Sequence, residues 1–226
     1  MSSTLSSRLV FSWLSLLACC TLLLAACGSR ERSRYRMTVE IETPTGIRSG
    51  SSVREVRFSE GGDWFPFGES KAHADVVGEA VGVKLPSGQV VYALLAGQAN
   101  DLNYASGLLG RTLGINPKAK TGRYDIWPNP TGEILDLPLF AYFQDKSDPT
   151  TFKVISKEEF ESNFGKGISL KSLFITRTND RITSEIYKDI PSFESGKFKA
   201  WFDGLEYNDP RQVVVGGLVR GKGNGS

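Results

Sequence analysis

Side chains that could do chemistry are few in this 226-residue chain. The one histidine, His73, lies in the polar stretch Ser70-Lys71-Ala72-His73-Ala74-Asp75, and no G-x-S-x-G turn exists to present a nucleophilic serine. A Ser-His-acid relay needs an imidazole in hydrogen-bond reach of the hydroxyl, so His73 reads first as a loop histidine in contact with solvent. Asp145 and Asp148 are the best sequence-local pair of carboxylates. Two acids can hydrolyse a bond when their environments separate their pKa values, yet Asp145-Lys146-Ser147-Asp148-Pro149 is foremost the composition of a turn between strands. With Thr150 the same residues offer oxygen ligands to calcium, without the twelve-residue EF-hand spacing. A lone histidine, with no cysteine beyond Cys27, supplies no zinc set. Gly107, Gly110 and Gly114 do not form G-x-G-x-x-G, and no Gly-Lys-Ser/Thr follows a glycine-rich turn, so no nucleotide or other cofactor is expected. The run Arg48-Ser49-Gly50-Ser51-Ser52 could aim backbone N–H groups at an anion beside an arginine. Its composition reads first as a flexible hairpin loop.

The three cysteines, Cys19, Cys20 and Cys27, all fall near the start. A polar start with one cation, Arg8, is followed by an apolar stretch over residues 9–24 and then by Leu24-Ala25-Ala26-Cys27. That arrangement resembles the signal and lipobox of bacterial lipoproteins. The resemblance implies cleavage that leaves Cys27 as the first mature residue, carrying several acyl chains, with no disulfide or thiol nucleophile in the mature domain. An uncleaved transmembrane helix is the competing reading. The stretch is at the short edge of the roughly 17–25 residues a span needs, and Ser12, Ser15 and Thr21 dilute it. Against export, Arg30, Arg32, Arg34 and Arg36 follow directly, and such cations favour the cytoplasmic side if cleavage fails. Acyl chains anchor firmly because each buried methylene contributes about 0.8 kcal/mol. The residue after Cys27 is Gly28 rather than Asp; by resemblance to enterobacterial sorting this leans toward the outer membrane. The expected location is therefore the cell membrane or outer membrane, lipid-anchored and facing the periplasm.

The elements that would position any site are mostly strands. Residues 27–36 read as a polar tether, 37–220 as one β-rich domain, and 221–226 as a disordered tail. Val39 and Ile41 alternate with polar neighbours, and residues 53–58 form a second strand beyond Pro44, Gly46 and Gly50. Residues 81–85 and 90–95 flank Pro86-Ser87-Gly88, the clearest hairpin signal. Further strands are expected at 134–143, 152–155, 170–177 and 213–220. Ser156 with Glu159 makes a capping box ahead of Phe160 and Phe164, and Gly165 ends that helix. A second helix is expected over 103–113, although Gly107 and Gly110 weaken it by roughly 1 kcal/mol each. The whole reads as a mainly β fold, an antiparallel β-sandwich or twisted sheet with one or two short helices. Residues 61–74 and 117–132 read as long loops. They carry Trp64, Phe65 and Phe67, and Tyr124 with Trp127, as candidate recognition residues if their rings stay exposed. Folded back, the same rings become lids on the core, as do Trp201 and Phe202.

Two segments resemble an uncharacterised family of proteobacterial proteins. One is T-V-E-I-E-T-P-T-G-I-R-S-G-S-S-V from Thr38; the other begins L-P-L-F-A-Y-F-Q-D-K-S-D-P-T-T-F at Leu137 and continues to F-G-K-G-I-S-L-K-S-L-F-I-T. The resemblance brings no catalytic residues with it. Three functions from different classes are compatible with these features: a lipid-anchored, non-catalytic module that binds an envelope protein or other component, a membrane-tethered hydrolase using carboxylates, or a purely structural envelope lipoprotein. A net charge of +2 is too small to imply nucleic acid.

Overall fold

The computed structural model describes residues 31–59, 73–98, 101–113, 122–130, 136–206, 209 and 211–220. The signal and lipobox, Trp64, Phe65, Phe67 and the tail 221–226 lie outside them. Backbone contacts divide the chain into one unit of Met1–Glu31 and Ser59–His73 and another of Arg32–Phe58 and Ala74–Ser226. The second unit carries the two sheets and the helices packed on them.

The fold is mainly β. Among the described residues, ten strands form two antiparallel sheets: β1 (Glu31–Glu42), β2 (Arg48–Ser59), β3 (His73–Glu79), β4 (Val81–Lys84), β5 (Val90–Gly97), β6 (Arg123–Trp127), β7 (Pro138–Phe143), β8 (Phe152–Ile155), β9 (Ser169–Arg177) and β10 (Val219–Arg220). The six-stranded sheet runs β10-β3-β2-β1-β9-β6 and the four-stranded sheet β4-β5-β7-β8. Tyr35, Met37, Val39 and Ile41 of β1 and Leu173 and Ile175 of β9 meet Val91, Ala93 and Leu95 of β5 and Phe140 and Tyr142 of β7 in one core. Helix α1 (Tyr104–Thr112) adds Tyr104, Leu108 and Leu109 to it. Fully burying each such side chain contributes roughly 1.5–3 kcal/mol.

Strand β5 explains a third layer. Its sequence, VVYALLAG, does not alternate, and all eight residues are buried. Val91, Ala93 and Leu95 face the core between the sheets, while Val90, Tyr92 and Leu94 face a second core with Ile186, Ile190, Phe198 and Leu218. These last come from or adjoin short helices absent from the sequence-based expectation: α3 (Ile186–Asp189), α4 (Pro191–Glu194), α5 (Lys197–Asp203) and α6 (Arg211–Leu218). The helix α2 (Phe160–Phe164) does follow the expected capping box, with Glu159 accepting from the Ser156 N–H at 2.7 Å.

Four expectations are corrected. Residues 31–36 are not tether but the first half of β1; Ser33 and Tyr35 turn inward, and the arginines between them sit on the outer face, where Arg34 pairs with Glu55 and Arg36 with Asp180. The run 48–52 is strand rather than loop, because Gly50 must lie flat against another strand. Residues 123–127 are β6, held to β9 with Tyr124 opposite Ile175. The stretch 213–218, valine-rich and read as strand, lies in α6, leaving only Val219 and Arg220 to pair with Glu79 and Gly78. Tertiary packing overrides β-propensity there: a Cβ on Gly217 would sit 3.2 Å from the Leu94 Cβ and 3.3 Å from that of Ala96, so the helix backbone lies directly on β5.

The sheets meet at a corner. Strands β3 and β4 are one run of chain interrupted only at Ala80, so the segment leaves the six-stranded sheet and enters the four-stranded one. At this corner β2 and β4 approach so closely that a Cβ on Gly50 would stand 2.1 Å from the Gly82 carbonyl oxygen. The buried Arg54 braces it: Nε donates to the Glu79 carbonyl at 3.1 Å and Nη2 to the Ala93 carbonyl at 3.3 Å, joining the two sheets from inside.

A candidate ligand-binding pocket

Strand β4 is short and lies at the edge of its sheet, with Val81 and Val83 facing the core and Gly82 and Lys84 turned outward. Across the ladder, Gly82 stands opposite Tyr92 and Lys84 opposite Val90. A cavity of about 230 Å³ opens over this strand pair. Its floor is Gly82, Val90 and Tyr92, and its far wall is Ala80, Ile186 and the chain around Thr183. Glycine at 82 is what leaves the room, since even a Cβ there would stand 3.3 Å from Val90 and 3.4 Å from the Tyr92 ring.

Among the described residues, three carboxylates line the cavity. Glu79, only 4 % exposed, ends β3 and accepts from the N–H groups of Glu185 and Ile186, each at 2.9 Å. Its carboxylate therefore fixes the wall of the pocket, while its own carbonyl is held by Arg54 and by the Ser52 hydroxyl at 3.1 Å. Asp189 accepts from the Tyr92 phenol and, at 2.7 Å, from Lys146. Burial, reinforced by this bond to a carboxylate, pushes the Tyr92 phenol strongly up, so it stays a neutral donor at physiological pH. Glu185 stands at the rim beside Lys188, at 3.0 Å. Thr183 closes the side nearest β2, exchanging contacts with the N–H and carbonyl of Val53 at 3.2 and 3.3 Å. The arrangement is a small, mostly apolar cleft with a few convergent polar groups, the common form of a binding site.

Of the candidates singled out from sequence, Ser51 of the 48–52 run lines this pocket, and the other described ones named below lie elsewhere. Asp145 and Asp148 lie in the turn joining β7 to β8. The Asp145 carboxylate accepts from the Ser147 hydroxyl at 2.7 Å and N–H at 2.8 Å, which hold it below the usual carboxylate range. Asp148 accepts from the Thr150 N–H and hydroxyl at 2.9 and 2.7 Å. Each acid is thus committed to turn geometry, and neither lines the cavity over β4 and β5. His73 opens β3 rather than lying in a loop. Tyr124 and Trp127 are half-buried on β6 and pack on the core between the sheets, as lids do, with the Lys157 ammonium 4.3 Å from the Trp127 ring centre. Trp201, half-buried on α5, packs on the second core. Among the described residues no helix is long and apolar enough to cross a membrane, and no three His, Cys, Asp or Glu side chains gather as a metal site.

Sequence reasoning missed Glu79, Tyr92 and Asp189, which lie far apart in the chain and meet only through the corner and α3. One signal was available: the unbroken apolar run of β5 needs cover on both faces, and a covering layer that stops short of an edge strand leaves a cleft there. No family model, curated protein or solved structure matches this chain.

Proposed function

We propose that the protein is a lipid-anchored, non-catalytic binding module of the cell envelope, held by acyl chains on Cys27 and taking a small ligand in the pocket over β4 and β5. The observation that carries the reading is the pocket itself: a preformed cavity braced from within by Arg54 and Glu79, and lined by hydroxyl and carboxylate groups. The Tyr92 phenol, pushed up by burial and by its bond to Asp189, serves as a hydrogen-bond donor, a role that suits recognition. The anchor half of the proposal is supported by the Leu24-Ala25-Ala26-Cys27 sequence and the apolar stretch before it.

The pocket is tested by NMR of the isotopically labelled full-length protein with mixtures of small amphipathic compounds. Amide shifts should gather on residues 79–84, 90–92 and 183–189. Shifts gathered on another surface, or none with any compound, would reject the pocket as the binding site.

A further inference from the structure

The charge of the lining narrows what the pocket can hold. Among the described residues, Glu79, Glu185 and Asp189 face it with a single cation, Lys84, although the chain as a whole carries a net charge of +2. Two of these carboxylates are already ion-paired from outside the lining, Asp189 with Lys146 and Glu185 with Lys188, while the buried Glu79 is held by backbone N–H groups and has no ion pair among the described residues. The carboxylates also do not converge as metal ligands would. They line the cavity together with the apolar floor of Gly82, Val90 and the Tyr92 ring.

We infer that the pocket takes an organic cation, an ammonium group on a small apolar body, an inference that rests on the pocket being the binding site. Each carboxylate oxygen can accept more than one hydrogen bond. Asp189, with one bond from Tyr92 and one from Lys146, and Glu79, with one N–H on each oxygen, keep lone pairs for a ligand N–H. Charge-assisted contacts of this kind are short and strong, and gain further where water is partly excluded. The apolar body lies over Gly82 and Val90, and a cation near the Tyr92 face gains from the ring's quadrupole. Lys84, two cross-strand pairs along from Gly82 and on the same face, sets the direction: the ammonium points toward Glu79, Glu185 and Asp189, and the body toward Lys84. The volume, about 230 Å³, is below the roughly 300–1,000 Å³ of sites for drug-sized ligands, so the ligand is small. The same chemistry is available from a free amine or from a lysine side chain of a partner protein.

The test is a charge series of one shape on the full-length protein: cyclohexylammonium, cyclohexanol and cyclohexanecarboxylate, titrated while amide shifts on residues 79–84 and 183–189 are followed. The ammonium should bind at least tenfold more tightly than the alcohol, and the carboxylate should bind weakest. Glu185→Gln, at an exposed rim position, should weaken the ammonium severalfold and leave the alcohol unchanged; Gly82→Leu should abolish both. Equal binding of ammonium and alcohol at these amides overturns the cation assignment and leaves the pocket standing. No shift at these amides with any of the three, or full binding by Gly82→Leu, overturns both. A lysine-containing peptide that competes with cyclohexylammonium, where free lysine does not, identifies a protein side chain as the source; the reverse identifies a free amine. Should Gly82→Leu not fold, the wild-type series decides alone.

Discussion

Glu55 shows how a single residue sets the acid response of the outer sheet face. It is 2 % exposed on β2 yet ionisable, and it accepts from Arg57 at 2.9 Å and from Arg34 at 2.8 Å. Burial by itself raises its pKa, but the hydrogen bonds from Arg57 and Arg34 outweigh burial and hold the carboxyl below the usual glutamate range. A folded-state pKa below the unfolded one contributes stability that is present above the unfolded value and lost as pH falls through the folded value. Glu55→Gln should therefore lower stability by about 1–2 kcal/mol at pH 7, the range for buried bonds to charged groups less the screening of two half-exposed arginines. The deficit should shrink as the pH is lowered through the folded carboxyl's range. Urea unfolding at pH 7 and in acid checks this; an equal deficit at both would remove the carboxylate from the account. Arg54 is a different case. Its partners are carbonyls rather than a carboxylate, so it acts as a bidentate brace rather than half of an ion pair.

At the scale of elements, legibility followed locality. The β4–β5 hairpin was visible in Pro86-Ser87-Gly88, and the turn closes with Gly88 at φ 89° and its N–H donating to the Leu85 carbonyl at 2.9 Å. The capping box at Ser156 and the helix stop at Gly165 were likewise written in adjacent residues. The first half of β1 was hidden because three arginines on its outer face disguised a period-2 pattern whose inner face is Ser33, Tyr35 and Met37. The C-terminal helices were hidden because the surface they cover, the outer face of β5 and β7, is remote in sequence. The pocket inherits that difficulty, since it exists only where the helical layer ends beside β4. The corner that makes it possible rests on Gly50 and Gly82, which the sequence alone marked as loop and strand glycines. Gly50→Ala would place a methyl 2.1 Å from the Gly82 carbonyl oxygen, a backbone clash that no rotamer relieves. Loss of about 3 kcal/mol or more is expected, with amide shifts spreading over β2 and β4. A thermal midpoint equal to that of the wild type would show that β2 and β4 do not touch as described.

For the whole molecule, the three layers divide the work. The core between the sheets supplies rigidity, the helical layer builds the pocket wall, and the outer face of the six-stranded sheet carries paired charge such as Arg34–Glu55–Arg57 and Lys171–Glu42. A module of this kind functions where its ligand is, and on the proposed reading that place is set by Cys27. Cys27→Ser should move the processed protein out of the membrane fraction, or leave it there only with its apolar N-terminal stretch uncut. The most direct measurement is the intact mass of the native protein extracted from membranes. The expected species is a chain that begins at Cys27 and carries the added mass of its acyl chains. A chain that still begins at Met1, or one that begins at Cys27 without added mass, would contradict the proposed reading.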